Sequence, residues 1–398
     1  MEYHYLFTKS SVSLHDFSII CFINISVMHI LIAAGSTNCQ QDSDNRRIYP
    51  HDQQMTSEII TVVHPVNNKT SIISKRKNAN RLPIWEGHRY SDFSMSNNLH
   101  YGGYIGEKTP IASTGKNLFK YTPGNDKWDH IAATPGGMKG AVIGCEFQDM
   151  LLIIFSNGYI SPHASLLKSN QGMDEEVPNI SASIKLFLND EYIFIENNSV
   201  CHQVFCPTPI PKTLNSCEVS SAGKNKVIIV GETQQNEAKA FIGELNRKQN
   251  DFQWKDISKN KISRNGHLMF KMGDYVYVMG GETYVNDPAV FGLPVCTKLK
   301  CCEVYDLKKQ RWFQSKYCLP FALSHASVVV EENEEFAVIT GGLRDNTNNK
   351  FTWKKIGDLS DIVIMFTENM GFKVLDGFKL NKKRWMHVSI RLRIPELT

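Results

Sequence analysis

The stretch from Tyr275 to Gly342 constrains the fold most, because it contains one full period of a repeat. An apolar run ends in Gly280-Gly281, and a second run carries Tyr305 and, seven residues later, Trp312. A third apolar run ends in Gly341-Gly342, where the pattern begins again. Short apolar runs that end at glycine predict buried strands. The stretch therefore predicts an all-β repeat protein.

An aromatic residue followed by a Trp seven positions later occurs at three places in the chain. Turn-forming polar residues separate the members of each pair, so each pair predicts a hairpin with two large rings on neighbouring strands. The segment Leu245–Trp254 predicts the same hairpin with a longer turn. The three pairs are Tyr121 with Trp128, Tyr305 with Trp312, and Phe378 with Trp385.

Six apolar, β-branched or aromatic runs are candidates for one recurring inner strand of the repeat. They begin about 35 to 60 residues apart, which is the range of propeller blades. They are Leu99–Ile105, Leu151–Phe155, Tyr192–Ile195, Val227–Val230, Tyr275–Met279 and Phe336–Thr340.

At these positions the chain resembles kelch repeats, whose hallmarks are a double glycine after an apolar strand and then a Tyr and a Trp at this spacing. The resemblance covers roughly Ile84 to Thr398 and implies an all-β propeller. Six blades fit best, near 84–139, 140–182, 183–219, 220–265, 266–324 and 325–398, while five or seven remain open. The glycine pairs are Gly102-Gly103, Gly280-Gly281 and Gly341-Gly342.

Residues 1–35 differ from the rest of the chain. The run from Phe17 to Ala34 is apolar and ends in small residues before Gly35, which is typical of a secretory signal peptide cleaved at that point. The run is also nearly long enough to be an uncleaved membrane anchor. A buried segment or a faulty gene start are the remaining interpretations. No other stretch predicts a membrane span.

Residues 36–83 are polar and interrupted by prolines, which predicts an arm ahead of the propeller. Within this arm Glu58 to Val63 is the one good strand candidate. We expect this strand to pair with the sheet of the last blade, because an open propeller edge would invite aggregation. The predicted organisation is thus a signal or anchor at 1–35, an arm at 36–83 and a propeller at 84–398.

Composition and charge exclude several classes of protein. A hydrophobic fraction of 42% with 21% charged residues is that of a folded globular chain. A net charge of +4 with no basic stripe gives no indication of nucleic-acid binding. Only if the apolar N-terminal run is an uncleaved anchor does the sequence predict a membrane partner.

Seven of the ten cysteines fall into two clusters. Disulfide bonds within the clusters are predicted if the chain is secreted, and buried free thiols are the alternative. If the chain enters the secretory pathway, three sequons would also accept glycans, at Asn68, Asn179 and Asn197. The clusters are Cys296, Cys301, Cys302 and Cys318, and Cys201, Cys206 and Cys217.

The sequence predicts no catalytic, cofactor or metal site. It has no nucleophile elbow, P-loop, dinucleotide fingerprint or HExxH motif. Some enzymes that resemble kelch propellers hold copper through His and Tyr. Here His267 and His325 each follow a Trp by thirteen residues, and His88 precedes the first glycine pair, so recurrence favours a structural role.

The predicted function is a non-catalytic module that binds a protein partner outside the cell. Kelch relatives that act as ubiquitin-ligase adaptors carry BTB and BACK domains, for which the residues before the blades are too few. Membrane-anchored and cytoplasmic placements are the alternatives to secretion. A secreted oxidase or sugar-active propeller, or a lectin-like glycan binder, are the alternative functions.

The partner is predicted to bind two connections that are longer than a hairpin requires, Thr283 to Lys300 and Leu343 to Gly371. Aromatic residues and Arg dominate binding hot spots. The alternative is that these rings fold back onto their own blade. The candidate contact residues are Tyr284, Phe291, Arg344 and Trp353.

Overall fold

The computed structural model describes many of the residues from Ile25 to Leu392, and every regular element among them is a β-strand. In this part of the chain no helix is long and apolar enough to cross a membrane. The described residues are 25–33, 40–41, 47–48, 57–65, 76–79, 102–105, 109–113, 117–133, 142–147, 150–155, 163–169, 201–206, 214, 216–233, 237–246, 251–258, 262–286, 294–345 and 358–392.

The described strands are short, none longer than nine residues. The N-terminal strands are β1 (Ile25–Ala33), β2 (Gln40–Gln41), β3 (Arg47–Ile48), β4 (Ser57–Pro65) and β5 (Arg76–Ala79). Next come β6 (Gly102–Ile105), β7 (Thr109–Ser113), β8 (Asn117–Thr122), β9 (Lys127–Ala133), β10 (Val142–Phe147), β11 (Met150–Phe155), β12 (His163–Ser169) and β13 (Cys201–Cys206).

The remaining strands lie in the C-terminal half of the chain. They are β14 (Ser216–Ser221), β15 (Lys226–Glu232), β16 (Ala238–Asn246), β17 (Asp251–Asp256), β18 (Leu268–Met272), β19 (Tyr275–Met279), β20 (Glu282–Asn286), β21 (Pro294–Lys298), β22 (Cys302–Asp306) and β23 (Arg311–Gln314). After these come β24 (Leu323–Ser324), β25 (Ser327–Val330), β26 (Ala337–Thr340), β27 (Leu343–Arg344), β28 (Asp358–Leu359), β29 (Ile362–Thr367), β30 (Gly371–Lys379) and β31 (Val388–Leu392).

Six four-stranded antiparallel sheets contain most of these strands. The first to fifth sheets are β6-β7-β8-β9, β10-β11-β12-β13, β14-β15-β16-β17, β18-β19-β22-β23 and β25-β26-β29-β30. The sixth, called the closing sheet below, is β31-β1-β4-β5. The first strand of each sheet contacts the first strand of the next, and β31 contacts β6, so the contacts return to their start. This cyclic order is that of a β-propeller-like fold.

The sheet boundaries differ from the predicted blades. Between 102 and 379 the described strands form five four-stranded sheets, because β13 pairs with β12 and completes the second sheet. The predicted third blade, 183–219, is therefore divided between the second and third sheets. Its proposed inner strand, Tyr192–Ile195, lies outside the described residues. The predicted last blade, 325–398, supplies the whole fifth sheet and one strand of the closing sheet.

The closing sheet joins the two ends of the chain. Strand β1 pairs with β31 on one side and with β4 on the other, so that Ile30 lies opposite both Arg391 and Ile60. Glu58 to Val63 lies within β4, in the same sheet as β31 but separated from it by β1. The described strands β4 and β5 thus belong to the ring of sheets, and the closing strand predicted within the arm at 36–83 lies in the sheet that also contains β31.

From Ile30 to Ala33 both faces of β1 are buried, which explains why this part of its sequence is continuously apolar. Met28, Ile30 and Ile32 pack with Phe336 and other residues of the fifth sheet. Leu31 and Ala33 point the other way and pack with side chains of the first sheet, including Phe119, Tyr121 and Trp128. Part of the run predicted as a signal or anchor is therefore a strand between two sheets.

Two of the predicted aromatic hairpins have the expected register. Tyr121 lies directly opposite Trp128, with ring centroids 4.9 Å apart, and Tyr305 lies opposite Trp312, with centroids 5.0 Å apart. Trp128 is buried, and Trp312 is half-buried and donates a hydrogen bond through Nε1 to the carbonyl of Ile257. These rings fill space between neighbouring sheets.

The other two predicted hairpins differ in register. In the third sheet Leu245 lies opposite Phe252, which is seven positions on, while Trp254 lies opposite Gly243. The indole of Trp254 covers that glycine, since a Cβ on Gly243 would come within 2.5 Å of the ring. Because the turn is shorter than predicted, Phe252 takes the place assigned to the Trp.

Phe378 and Trp385 do not form a hairpin. Phe378 is in β30, which pairs with β29, and Trp385 lies in the connection between β30 and β31. Its ring packs edge-on against His325, 5.4 Å between centroids, and is 1% exposed. The seven-residue spacing of this pair therefore does not correspond to the hairpin that the other pairs form.

Trp385→Ala is expected to lower the free energy of unfolding by about 3–5 kcal/mol, because it removes a fully buried aromatic ring. Trp254→Ala is the matched control, and its loss should be smaller because that ring is half-buried. Denaturant unfolding of the two variants provides the comparison. A larger loss for Trp254→Ala would contradict this packing.

Candidate functional site: the hairpin face

Two glycine pairs lie where the fourth sheet meets the fifth and where the fifth meets the closing sheet. Gly280 and Gly341 follow β19 and β26 with φ of 63° and 62°. A Cβ on Gly280 would lie 2.4 Å from the carbonyl oxygen of Leu323, and one on Gly341 would lie 2.6 Å from that of Arg384. Only glycine permits both the backbone conformation and this close approach.

The remaining glycines of the predicted motif divide into two groups. Gly281 and Gly342 complete the two pairs, with φ of 85° and 95°. Gly102 and Gly103 instead lie inside β6, the first strand of the first sheet. The first pair therefore begins a strand in the structure, whereas the prediction placed it after one.

The segments that enter successive sheets are hydrogen-bonded to one another. The amide of His325 donates to the carbonyl of Gly266 at 2.7 Å, and the amide of Met386 donates to the carbonyl of His325 at 3.0 Å. All three residues have positive φ, between 52° and 58°. They are therefore structural equivalents, and the residues that follow them include His267 and His387.

The two predicted equivalents His267 and His325 are thus one position out of step, and His88 lies outside the described residues. Both described rings are buried. Burial, reinforced by the nearby Arg264, lowers the pKa of His267 to about 3. The His267 ring is therefore neutral near pH 7, which suits a packed structural role.

Two extra hairpins leave the glycine ends of the fourth and fifth sheets. The first is β20-β21, which begins directly after Gly281. The second is β27-β28, which begins directly after Gly342, and β24 pairs with it as a third strand. Lys298 Nζ of the first lies 3.9 Å from Asp345 Oδ1, next to the second. We call the surface formed by residues 282–286, 294–298, 343–345 and 358–359 the hairpin face.

A buried polar cluster forms the base of the hairpin face. Glu282 is 0% exposed and accepts a hydrogen bond from Ser324 Oγ at 3.2 Å. The same carboxylate oxygen lies 4.0 Å from Lys298 Nζ and 4.0 Å from His325 Nδ1. Because buried charges are stable only when paired and hydrogen-bonded, this cluster fixes both hairpins relative to the sheets below.

Two further acids lie beside this cluster. Burial raises the pKa of Glu232, and the charge of Glu282 raises it further, while a hydrogen bond from Ser263 at 2.6 Å opposes the shift. Burial also raises the pKa of Asp345, against the opposing effect of Lys298. The base of the hairpin face is therefore rich in carboxylates, and the charge of Lys298 offsets part of their negative charge.

A second layer of ion pairs lies beneath the glycine ends. Arg264 donates to Glu303 at 2.7 Å in the fourth sheet, and Arg384 donates to Glu58 at 3.1 Å in the closing sheet. All four side chains are almost fully buried. Burial lowers the pKa of Arg384, and Glu58 counteracts this. The second pair ties the N-terminal strands to the C-terminal end of the chain.

The equivalent positions in the fifth sheet are apolar. Glu303 lies opposite Val278, and Ile364 lies opposite Ile339 at the same step from the glycine pair. Leu323 in the entry segment corresponds to Arg264, because their neighbours two positions on, His325 and Gly266, are equivalent. The fifth sheet thus has Leu323 and Ile364, both 0% exposed, in place of an ion pair.

Of the predicted contact residues, only Arg344 has a described side chain. Tyr284 lies in β20 opposite Cys296, while its side chain and all of Phe291 and Trp353 lie outside the described residues. Arg344 lies in β27, and its guanidinium stacks 3.8 Å above the ring of Phe321. This residue therefore contacts its own chain, as in the alternative of rings that fold back.

The second connection is shorter than the predicted Leu343 to Gly371, because β29 already begins at Ile362. Sequence reasoning also missed Glu282, Lys298 and Asp345. Glu282 could have been found from the sequence, because it directly follows the double glycine. Lys298 had no such signal, since its partners become neighbours only through folding.

Cysteines and possible metal ligands are the remaining candidates for chemistry in the described residues. Among the cysteines whose side chains the structure describes, Cys217, Cys301, Cys302 and Cys318 are free. Burial raises the pKa of both Cys217 and Cys302 to about 12, which makes these two thiols unreactive. Within the described ranges no group of His, Cys, Asp or Glu is arranged to hold a metal ion. The sequons at Asn68, Asn179 and Asn197 lie outside these ranges.

Comparison with known proteins supports the fold alone. No protein-family model and no curated protein sequence matches the chain. The solved structure of YjhT is similar over 86% of this chain and 98% of its own, with a TM-score of 0.51 and 12% sequence identity. At that identity the likeness extends to the architecture and not to the activity.

Proposed function

We propose that this chain is a non-catalytic binding module, a six-bladed kelch-like propeller that presents the hairpin face to a protein partner. The six four-stranded sheets and the paired Tyr and Trp rings support the kelch-like assignment. Propellers of this kind offer a rigid disc whose loops vary, and such surfaces commonly serve protein contact.

The contact between Lys298 and Asp345 is the observation that carries the proposal. This 3.9 Å approach joins the hairpins of two adjacent sheets, which supports a shared contact surface. Connections of two to five residues would join these strands, so the extra length has a use other than joining them. The buried cluster around Glu282 holds the hairpins in place, which reduces the ordering cost of binding.

The partner should be captured with the wild-type chain as bait and then measured against single variants. Phe291→Ala and Trp353→Ala are expected to weaken binding roughly 30-fold each, as for aromatic hot spots, with unchanged melting temperature. Phe313→Ala is the matched control, since that ring is 42% exposed on β23, at the outer edge of the fourth sheet. Its loss should leave binding intact.

Two results would contradict the proposal. If the Phe291 and Trp353 variants melt earlier while their folded fraction binds normally, the loops only cover their own blade. If a glycan array binds the chain and no protein does, the ligand class is wrong. Arg344→Ala is expected to lower the melting temperature, because its stacking on Phe321 is internal.

A further inference from the structure

The end of the apolar N-terminal run matches the glycine ends of two other sheets. Ala33 lies opposite Val388, the first residue of β31, as Met279 lies opposite Leu268 and Thr340 opposite Ser327. In the sequence Ala33 is followed by Ala34-Gly35, Met279 by Gly280-Gly281 and Thr340 by Gly341-Gly342. The small residues that resemble a signal cleavage site therefore occur where this fold needs small residues.

The side chains before that point are packed like those of any inner strand. Ile32 and Ile339 occupy equivalent places in β1 and β26, and both are 0% exposed. Ile32 packs against the fifth sheet and Ile339 against the fourth, so each contacts the preceding sheet of the ring. A leader sequence has no need of such specific packing.

The neighbours of β1 depend on it. Among the described strands β31 pairs with β1 alone, and β4 pairs with β1 and β5. A cut after Ala34 would remove the strand between β31 and β4. The paired Glu58 and Arg384 would then hold β4 to the C-terminal segment across a missing strand.

From this we infer that residues 25–33 are retained in the folded protein as the second strand of the closing sheet. They are neither a leader removed after Ala34 nor a membrane-spanning segment. This inference does not rest on the proposed binding function, and no binding measurement enters its test.

The first test is the N-terminus of the folded protein. The full chain should be expressed in eukaryotic cells with a C-terminal tag, purified as the folded form and digested for mass spectrometry. Peptides that cover Ile25 to Ala33 are expected in stoichiometric amount. A folded protein that begins at Gly35 or later would overturn the inference.

The second test compares two equivalent isoleucines in the same expression system. Ile32→Ala and Ile339→Ala should both lower the melting temperature of the purified protein, by roughly 5–10 °C each. A removed leader predicts that only Ile339→Ala does so. An unchanged melting temperature for Ile32→Ala beside a lowered one for Ile339→Ala would therefore also overturn the inference.

Discussion

Glu58→Ala is expected to lower the free energy of unfolding by about 3–5 kcal/mol, because it leaves the guanidinium of Arg384 buried without its partner. The two side chains lie 3.1 Å apart and are 2% and 1% exposed. The backbone amide of Asn381 also donates to Glu58, at 3.0 Å, and would lose its acceptor.

The fifth sheet suggests how this loss can be reversed. There the equivalent positions hold Ile364 and Leu323, which pack without charge. The double variant Glu58→Ile with Arg384→Leu should therefore recover most of the stability lost by either single change, since replacing both members of a buried ion pair is often neutral.

Denaturant unfolding of the wild type, Glu58→Ile, Arg384→Leu and the double variant gives the coupling energy directly. Asp274→Ala is the control, because its ion pair with Lys308 is exposed and should contribute little. If the two single losses simply add in the double variant, the pair does not act as a unit and this description of ring closure is wrong.

Gly280→Ala is expected to lower the free energy of unfolding by about 2–5 kcal/mol, which is the second large effect. The new methyl group would lie 2.4 Å from the carbonyl oxygen of Leu323 in the entry segment of the next sheet, where backbone must move. The left-handed φ of 63° adds about 1–2 kcal/mol for a residue with a side chain.

Gly273→Ala separates the two causes. Gly273 has a similar φ of 55°, but the nearest atom to an added Cβ is Glu368 Oε1 at 3.5 Å, an ordinary contact. Its cost should therefore be limited to about 1–2 kcal/mol of backbone strain. Equal losses for the two variants, measured by denaturant unfolding, would show that the sheet-to-sheet approach at Gly280 is unimportant.

Much of the strand content was predictable because the inner strands are buried on both faces. Such strands need no alternation of polar and apolar residues, so they stand out as short apolar runs, as in β19 and β26. The rings of Tyr121 with Trp128 and of Tyr305 with Trp312 were predictable because a short polar turn places their positions opposite each other. Local spacing determines register in such hairpins.

The same local spacing failed where the partner strand is not the next in sequence. Phe378 and Trp385 share the spacing, yet β30 pairs with the preceding strand β29, and Trp385 packs against His325. The hairpin face was predicted as two long connections, but its cluster of Glu282, Lys298 and Asp345 was not. Glu282 and Lys298 lie opposite each other on one hairpin, but Asp345 follows the first strand of the other, and only the packing of adjacent sheets brings it beside Lys298.

The sequence by itself determined that the chain is all-β, where several inner strands lie and that two glycine pairs end such strands, because each is a local pattern. Only the tertiary structure decided the role of Ile25 to Ala33. An apolar run has the same composition whether it is a leader, a membrane anchor or a strand buried on both faces, since all three avoid water. Its identity depends on Val388 to Leu392, at the far end of the chain, which supplies the hydrogen bonds for one edge of β1.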